Sequence, residues 1–195
     1  MADGILKVGT ITTSSGSGTI TLGQSGETVT IPSGVTMTGM GKVLQVVQTT
    51  KTDAFTTASV SMVDITGFSV SITPSSTSSK ILVLVTISII SNSGAYGAYV
   101  NLLRGSTNLI SNSDGGAADT KNAWTTGGGS LAADANRQKL SPSINYLDAP
   151  ASTSSLTYKC QMCTDGGSTT AYFNRWALNT DHGGASTIIA MEIAG

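Results

Sequence analysis

Charge is what this chain has least of. Asp, Glu, Lys and Arg make up 11% of its 195 residues, under half the usual share of a soluble globular domain. The ten basic side chains are scattered singly against eleven acidic ones. No basic stripe is available to neutralise phosphates, so nucleic acid is excluded as a partner. Histidine occurs once and cysteine twice, and a structural zinc site needs four ligands. Long apolar runs are missing too. The longest, Ile81 to Ile90, is interrupted by Thr86 and Ser88 and is about half the ~20 residues of a membrane helix. Membrane insertion is therefore not expected. No basic stretch leads into an apolar one near Met1, so the expectation is a protein made in a cytoplasm without an export signal. Helical periodicity is nearly absent.

What fills the space is Ser, Thr, Gly, Ala and Asn, interleaved with aliphatic residues at a period of two. Phe68, Val70 and Ile72 alternate with Ser69, Ser71 and Thr73. Leu156, Tyr158, Cys160 and Met162 alternate with Thr157, Lys159, Gln161 and Cys163. Ile189, Met191 and Ile193 alternate with Ala190, Glu192 and Ala194. Each reads as a strand that turns its apolar set towards a core. Ile81 to Ile90 reads as one strand, apolar on both faces, central or buried against a neighbouring subunit. Tyr96 to Arg104 reads as another, ended by Gly105. Asp-Gly clusters at Ser113–Gly116, Thr164–Gly167 and Thr180–Gly184 supply turns. Asn112 to Ser141 is poor in large apolar residues and reads as a surface excursion, with a short strand near Trp124 and a helical turn or two within Ala132 to Lys139. Many short strands with this punctuation indicate a sandwich or jelly roll.

The first forty residues differ. Thr19-Ile20-Thr21-Leu22-Gly23 is echoed nine residues later by Thr28-Val29-Thr30-Ile31-Pro32. These read as very short strands with glycine corners. A single chain cannot bury enough apolar area there to offset an ordering cost of roughly 1–2 kcal/mol per residue. Three chains wound together would bury Ile20, Leu22, Val29 and Ile31 against one another, as stacked repeats do. Gly39-Met40-Gly41 reads as a hinge to the next domain.

The motifs that carry chemistry elsewhere have bland readings here. Cys160 and Cys163 form a C-x-x-C, but residues three apart on a strand point to opposite faces, so neither a redox pair nor a metal site is expected. His182 lies in an Asp-His-Gly-Gly turn with no nucleophile motif beside it. The nine Asp and two Glu sit largely beside Gly, Ser or Thr, where Asp bonds its own backbone, and no pair can be placed for glycan hydrolysis. Gly127-Gly128-Gly129 has no Lys-Ser/Thr after it and is no phosphate loop. The reading is therefore non-enzymatic, with no cofactor and no metal. Among the aromatics Trp124 is the candidate receptor contact, weighed against a role as a buried anchor.

Ile5-Leu6-Lys7-Val8-Gly9-Thr10-Ile11 with the Thr-Ile-Thr-Leu units after it resembles the N-terminus of fibre-type proteins of aquatic bacteriophages. Val100-Asn101-Leu102-Leu103-Arg104-Gly105, Ile144 to Pro150, Ser155 to Lys159 and Ser186 to Ile193 resemble the strands and ends of the same tail-fibre-like group. The resemblance spans most of the chain and implies a trimeric β-structured fibre with a jelly-roll head similar to tumour-necrosis-factor-like trimers. It brings no catalytic residue. The expected architecture is all-β: a short intertwined N-terminal β-stalk over residues 1–41, then a jelly-roll-like β-sandwich head over residues 42–195, trimeric. The implied role is a short fibre or knob of a phage virion, made in the host cytoplasm, anchored by its N-terminus. Its implied partners are its own copies, other capsid or tail proteins, and a host cell-surface glycan or protein. The alternatives are a capsid decoration or head-fibre protein and a glycan-cleaving spike.

Overall fold

The computed structural model describes residues 9–11, 21, 24–31, 43–91, 97–109, 124–126 (backbone only), 141–164, 166, 168–175 and 183–195. The chain divides into two compact units, Met1–Met40 and Gly41–Gly195. In the first, residues 24–31 carry a turn at Ser25-Gly26. The Glu27 amide donates to the Gln24 carbonyl at 3.0 Å, and the Glu27 carboxylate accepts from the Gln24 amide at 2.7 Å. Thr28 to Ile31, expected as a strand, is not one in the single chain. A strand exists only where a second backbone completes its ladder. Ile20, Leu22 and the Gly39-Met40-Gly41 hinge lie outside the described residues.

The second unit is built from strands, with no helix among the described residues. In chain order they are β1 (Val43–Lys51), β2 (Phe55–Thr57), β3 (Val63–Ile72), β4 (Lys80–Thr86), β5 (Ile89–Ser91), β6 (Ala98–Arg104), β7 (Thr107–Asn108), β8 (Trp124–Thr126), β9 (Ser143–Asp148), β10 (Leu156–Thr164), β11 (Ala171–Phe173) and β12 (Ser186–Ile193). They form a first sheet β1-β12-β4-β9, a second sheet β3-β10-β6-β7 with β8 also on β6, and a small sheet β2-β11-β5. Set aside the small sheet β2-β11-β5 and the two-residue β7, and eight strands remain. The first of these pairs with the eighth (β1 with β12) and the second with the seventh (β3 with β10). The third pairs with the sixth (β4 with β9) and the fourth with the fifth (β6 with β8). Such nested antiparallel pairing is a long ribbon rolled into two layers, which is a jelly roll.

One core lies between the layers. The first sheet contributes Ile81, Val83, Val85, Ile144, Ile188 and Ala190; Phe68, Val70, Tyr158, Cys160, Met162 and Leu102 face them from the second. The alternation read in β3 and β10 holds. Phe68 packs against Phe173 of the small sheet, the rings tilted and 5.0 Å apart between centroids. Ile65 and Phe68 are three apart and both buried. A register shift opposite Lys159 to Gln161 allows this, helped by the positive φ of Gly67.

Two expectations are corrected. Ile81 to Ile90 is not one strand but β4 and β5, in different sheets. At the crossing the Ile87 amide donates to the Pro142 carbonyl at 3.1 Å and the Ser88 amide to Ser186 Oγ at 3.0 Å. Ile87, Ile89 and Ile90 are all buried, so the run is apolar because the chain passes through the interior there. In β12 the inward set is Ile188, Ala190 and Glu192, while Ile189, Met191 and Ile193 face outward, half-buried. Pairing on both sides, with Ala190 opposite Val83 and Val47, fixes that parity. Gly105, with φ 59, ends β6 as expected, and β8 is the short strand expected near Trp124. The remainder of the Asn112 to Ser141 excursion, apart from Ser141, lies outside the described residues. So do the turns at Ser113–Gly116 and Thr180–His182, and the helical turns within Ala132 to Lys139.

Buried polar groups join the layers. Arg104 Nη1, on β6, donates to both oxygens of Asp148, on β9, at 2.7 and 2.6 Å. The Tyr158 hydroxyl, on β10, donates to Asp148 Oδ2 at 2.6 Å. Burial, and then the Asp148 carboxylate, push the Tyr158 phenol up, so it stays a donor. Burial works against the Arg104 charge, but Asp148 outweighs it and raises the guanidinium. Asn174 is a second hub, in the left-handed conformation at φ 58 that asparagine tolerates. Its Nδ2 donates to the Lys51 carbonyl at 2.7 Å, and its Oδ1 accepts from Ser186 Oγ at 2.6 Å. Its amide donates to the Ser88 carbonyl at 2.8 Å. The Asp148→Ala variant leaves a guanidinium and a phenol without their acceptor, and should lose about 3–5 kcal/mol in urea denaturation.

Candidate interaction surface

The outer faces of the two sheets differ in chemistry. On the first, side chains in register form rows across all four strands. Val46, Met191, Leu82 and Leu147 make one row. The next is Gln48, Ile189, Leu84 and Asn145, and the third is Thr50, Thr187, Thr86 and Ser143. Val43 pairs with Ile193 at the far corner, followed by Lys80 on β4. The face is thus apolar at one end and hydroxylated at the other. Val46 is 55% exposed and Leu147 52%, on the two edge strands, with Val43 and Leu44 exposed as well. A contiguous apolar area of this kind, bordered by polar residues, is often an interaction surface. Sequence reasoning missed this surface, although its signal was legible: the alternation of Ile189, Met191 and Ile193 was read as a core face.

The second sheet is polar outside. Ser71 Oγ and Thr157 Oγ1 lie 2.9 Å apart. Lys159 Nζ and Gln161 Nε2 both donate to Asp64, each at 2.7 Å. Lys159 first and Gln161 second hold that carboxyl below its ordinary range. Cys160 lies in the core, whereas Cys163 is buried outside that cluster. Burial pushes the Cys160 thiol up, away from the thiolate that redox or metal chemistry uses.

The four residues expected to pack a trimer stalk are only partly placed. Val29 is 53% exposed and Ile31 45%, and Ile11 likewise faces solvent in the single chain. Ile20 and Leu22 lie outside the described residues. Trp124 has its backbone in β8, opposite Val100, but its side chain, like His182 and Trp176, falls outside them. The described carboxylates hold the fold together. Asp148 joins the layers, Asp64 binds its own sheet face, and Asp53 pairs with Lys51 at 2.6 Å.

Glu192 anchors the corner of the first sheet from beneath. It is buried, and it accepts from Gln45 Nε2 at 2.6 Å and from the Ser75 amide and hydroxyl, each at 2.7 Å. Burial alone would push its carboxyl up. The bonds from Gln45 and Ser75 outweigh that and hold it at about 2.

No protein-family model and no curated protein matches the chain. Among solved structures it is similar to the VP2 subviral particle of infectious bursal disease virus. Identity is 13% and the TM-score 0.39, with 77% of this chain and 38% of that one covered. The Gt strain structure of the same virus gives 12% and 0.38, with 85% and 43% covered. The chain spans less than half the length of these viral proteins, and a likeness this loose carries no argument.

The Glu192 carboxyl is lower in the fold than its ordinary value of 4.5. Its contribution to stability should be complete above about pH 4.5 and vanish as pH falls through about 2. Denaturation against pH should show an acid limb on the order of 3 kcal/mol, flattened in Glu192→Gln.

Proposed function

We propose that the chain is a structural protein of a phage virion, a trimeric short fibre or knob held to the particle by its N-terminal segment. Its jelly-roll head is displayed for attachment to a host surface. The observation that carries this reading is the exposure of Val29 and Ile31 in the single chain, within a segment where the strand expected over Thr28 to Ile31 does not form without a partner backbone. Apolar side chains left in water by one copy are what further copies cover. A surface of so little charge favours close packing of identical chains without repulsion. The resemblance of Ile5 to Ile11 and of the strands around Val100, Ile144 and Ser186 to fibre-type phage proteins supports the virion assignment.

The mechanism is multivalent binding. Weak single contacts gain avidity from three heads per fibre and many fibres per particle. The host partner is a surface glycan or protein, and Trp124 is the first residue to test for it. No catalytic role is proposed, since Asp148, Asp64 and Glu192 are each committed to structural bonds.

Reconstruction of intact particles locates the chain and counts its copies. Trimers at the tail, N-terminal segment inward, are the expected result. Copies on the head in sets that follow the icosahedral axes would make it a capsid decoration protein instead. Release of reducing sugar from a host glycan, abolished by one carboxylate-to-amide change, would make it an enzyme. Isolated chain that sediments as a monomer at micromolar concentration would reject the trimer.

A further inference from the structure

We propose that the heads of neighbouring copies pack on one another through the outer face of the β1-β12-β4-β9 sheet. The inference rests on the homo-oligomeric part of the reading above and adds a contact separate from the N-terminal segment. Its ground is the row Val46, Met191, Leu82 and Leu147, which runs unbroken from one edge strand to the other. An ordinary sandwich turns hydroxyls and charges outward here, as the second sheet of this head does.

The occupant is a second copy of this chain, for reasons of charge, shape and area. Lys80 is the sole charged side chain on the outward rows, and it lies at a corner; Glu192 on the same strands points inward to Gln45 and Ser75. A neutral face meets itself without repulsion, and it offers no basic cluster to an anionic lipid surface. The polar row Thr50, Thr187, Thr86 and Ser143 with Gln48 and Asn145 borders the apolar rows. An apolar area that gives way to a polar border on one side is the anatomy of one half of a protein interface. Four strands at ~4.8 Å spacing and about six residues at ~3.3 Å give a face of roughly 400 Å². A standard interface takes about 800 Å² from each partner. The face is therefore the centre of an assembly contact and not the whole of it.

The test uses the full chain and sedimentation to read its mass. Val46→Glu with Leu147→Glu sets like charges at both ends of the row. The apparent dissociation constant for assembly should rise at least ~100-fold, or about 2.7 kcal/mol, with the circular dichroism of the head unchanged. Val60→Glu places the same charge on a residue that is exposed elsewhere and should assemble as the parent does. Val46→Cys and Leu147→Cys variants, single and combined in one chain, should include at least one that forms disulfide links between copies on mild oxidation, since Cys160 and Cys163 are buried. These variants decide the matter even if the double glutamate variant fails to fold. A parent that assembles, with glutamate variants that assemble equally and cysteine variants that never cross-link, overturns this inference and leaves the trimer standing. A parent that is itself monomeric overturns both.

Discussion

The head depends on the insertion of β12 between β1 and β4. Its ladder runs from Ser186 to Ile193 on one side and from Thr187 to Ile193 on the other. With both neighbours fixed, a slip of one residue on either side would turn the whole strand over. The parity of the first sheet follows from this. Ile188 and Ala190 go to the core, Ile189 and Met191 go outside, and Glu192 must be accommodated within. The burial of a carboxylate at that corner is a consequence of register, and the amide and hydroxyl of Ser75 with the Gln45 amide are the groups that make it tolerable.

Two other buried polar groups, Asp148 and Asn174, stand where the ribbon changes layer. Asp148 ends β9 in one sheet and is held by Arg104 and Tyr158 of the other. Asn174 stands between β11 and β12 and gathers the end of β1, the start of β5 and the start of β12. These are the places where backbone leaves a ladder and its donors and acceptors need replacement partners. Gly184 serves the same junction, because a Cβ there would come within 2.7 Å of Ser88 Oγ. Apolar packing sets how firmly the layers adhere, and the polar junctions set which strand lies over which.

Period-two alternation made β3 and β10 legible, and Gly105 marked the end of β6. The all-β class followed from many such stretches. Alternation reports period and not side, however, so the apolar set of β12 was assigned to the core when the ladder sends it outward. Ile81 to Ile90 carried no period at all. A continuous apolar run looks alike whether it is one buried strand or a chain crossing the interior between two sheets. The polar junctions were not legible, since Asp148, Asn174 and Glu192 acquire their partners only from strands distant in sequence. Val29 and Ile31 were singled out because their segment has too little to bury, and in the single chain both are exposed. The rows on the first sheet were not singled out, because they exist only across four strands in register.

The nested pairing also imposes an order in time. The strand that joins β1 to β4 is made after every other strand of the head. Until it arrives, β1 and β4 are not neighbours and the row from Val46 to Leu147 has a gap where Met191 belongs. The apolar face is thus assembled last, by the same event that closes the roll. Nascent or truncated chains lack the middle of that face, so it exists only in a chain whose roll has closed.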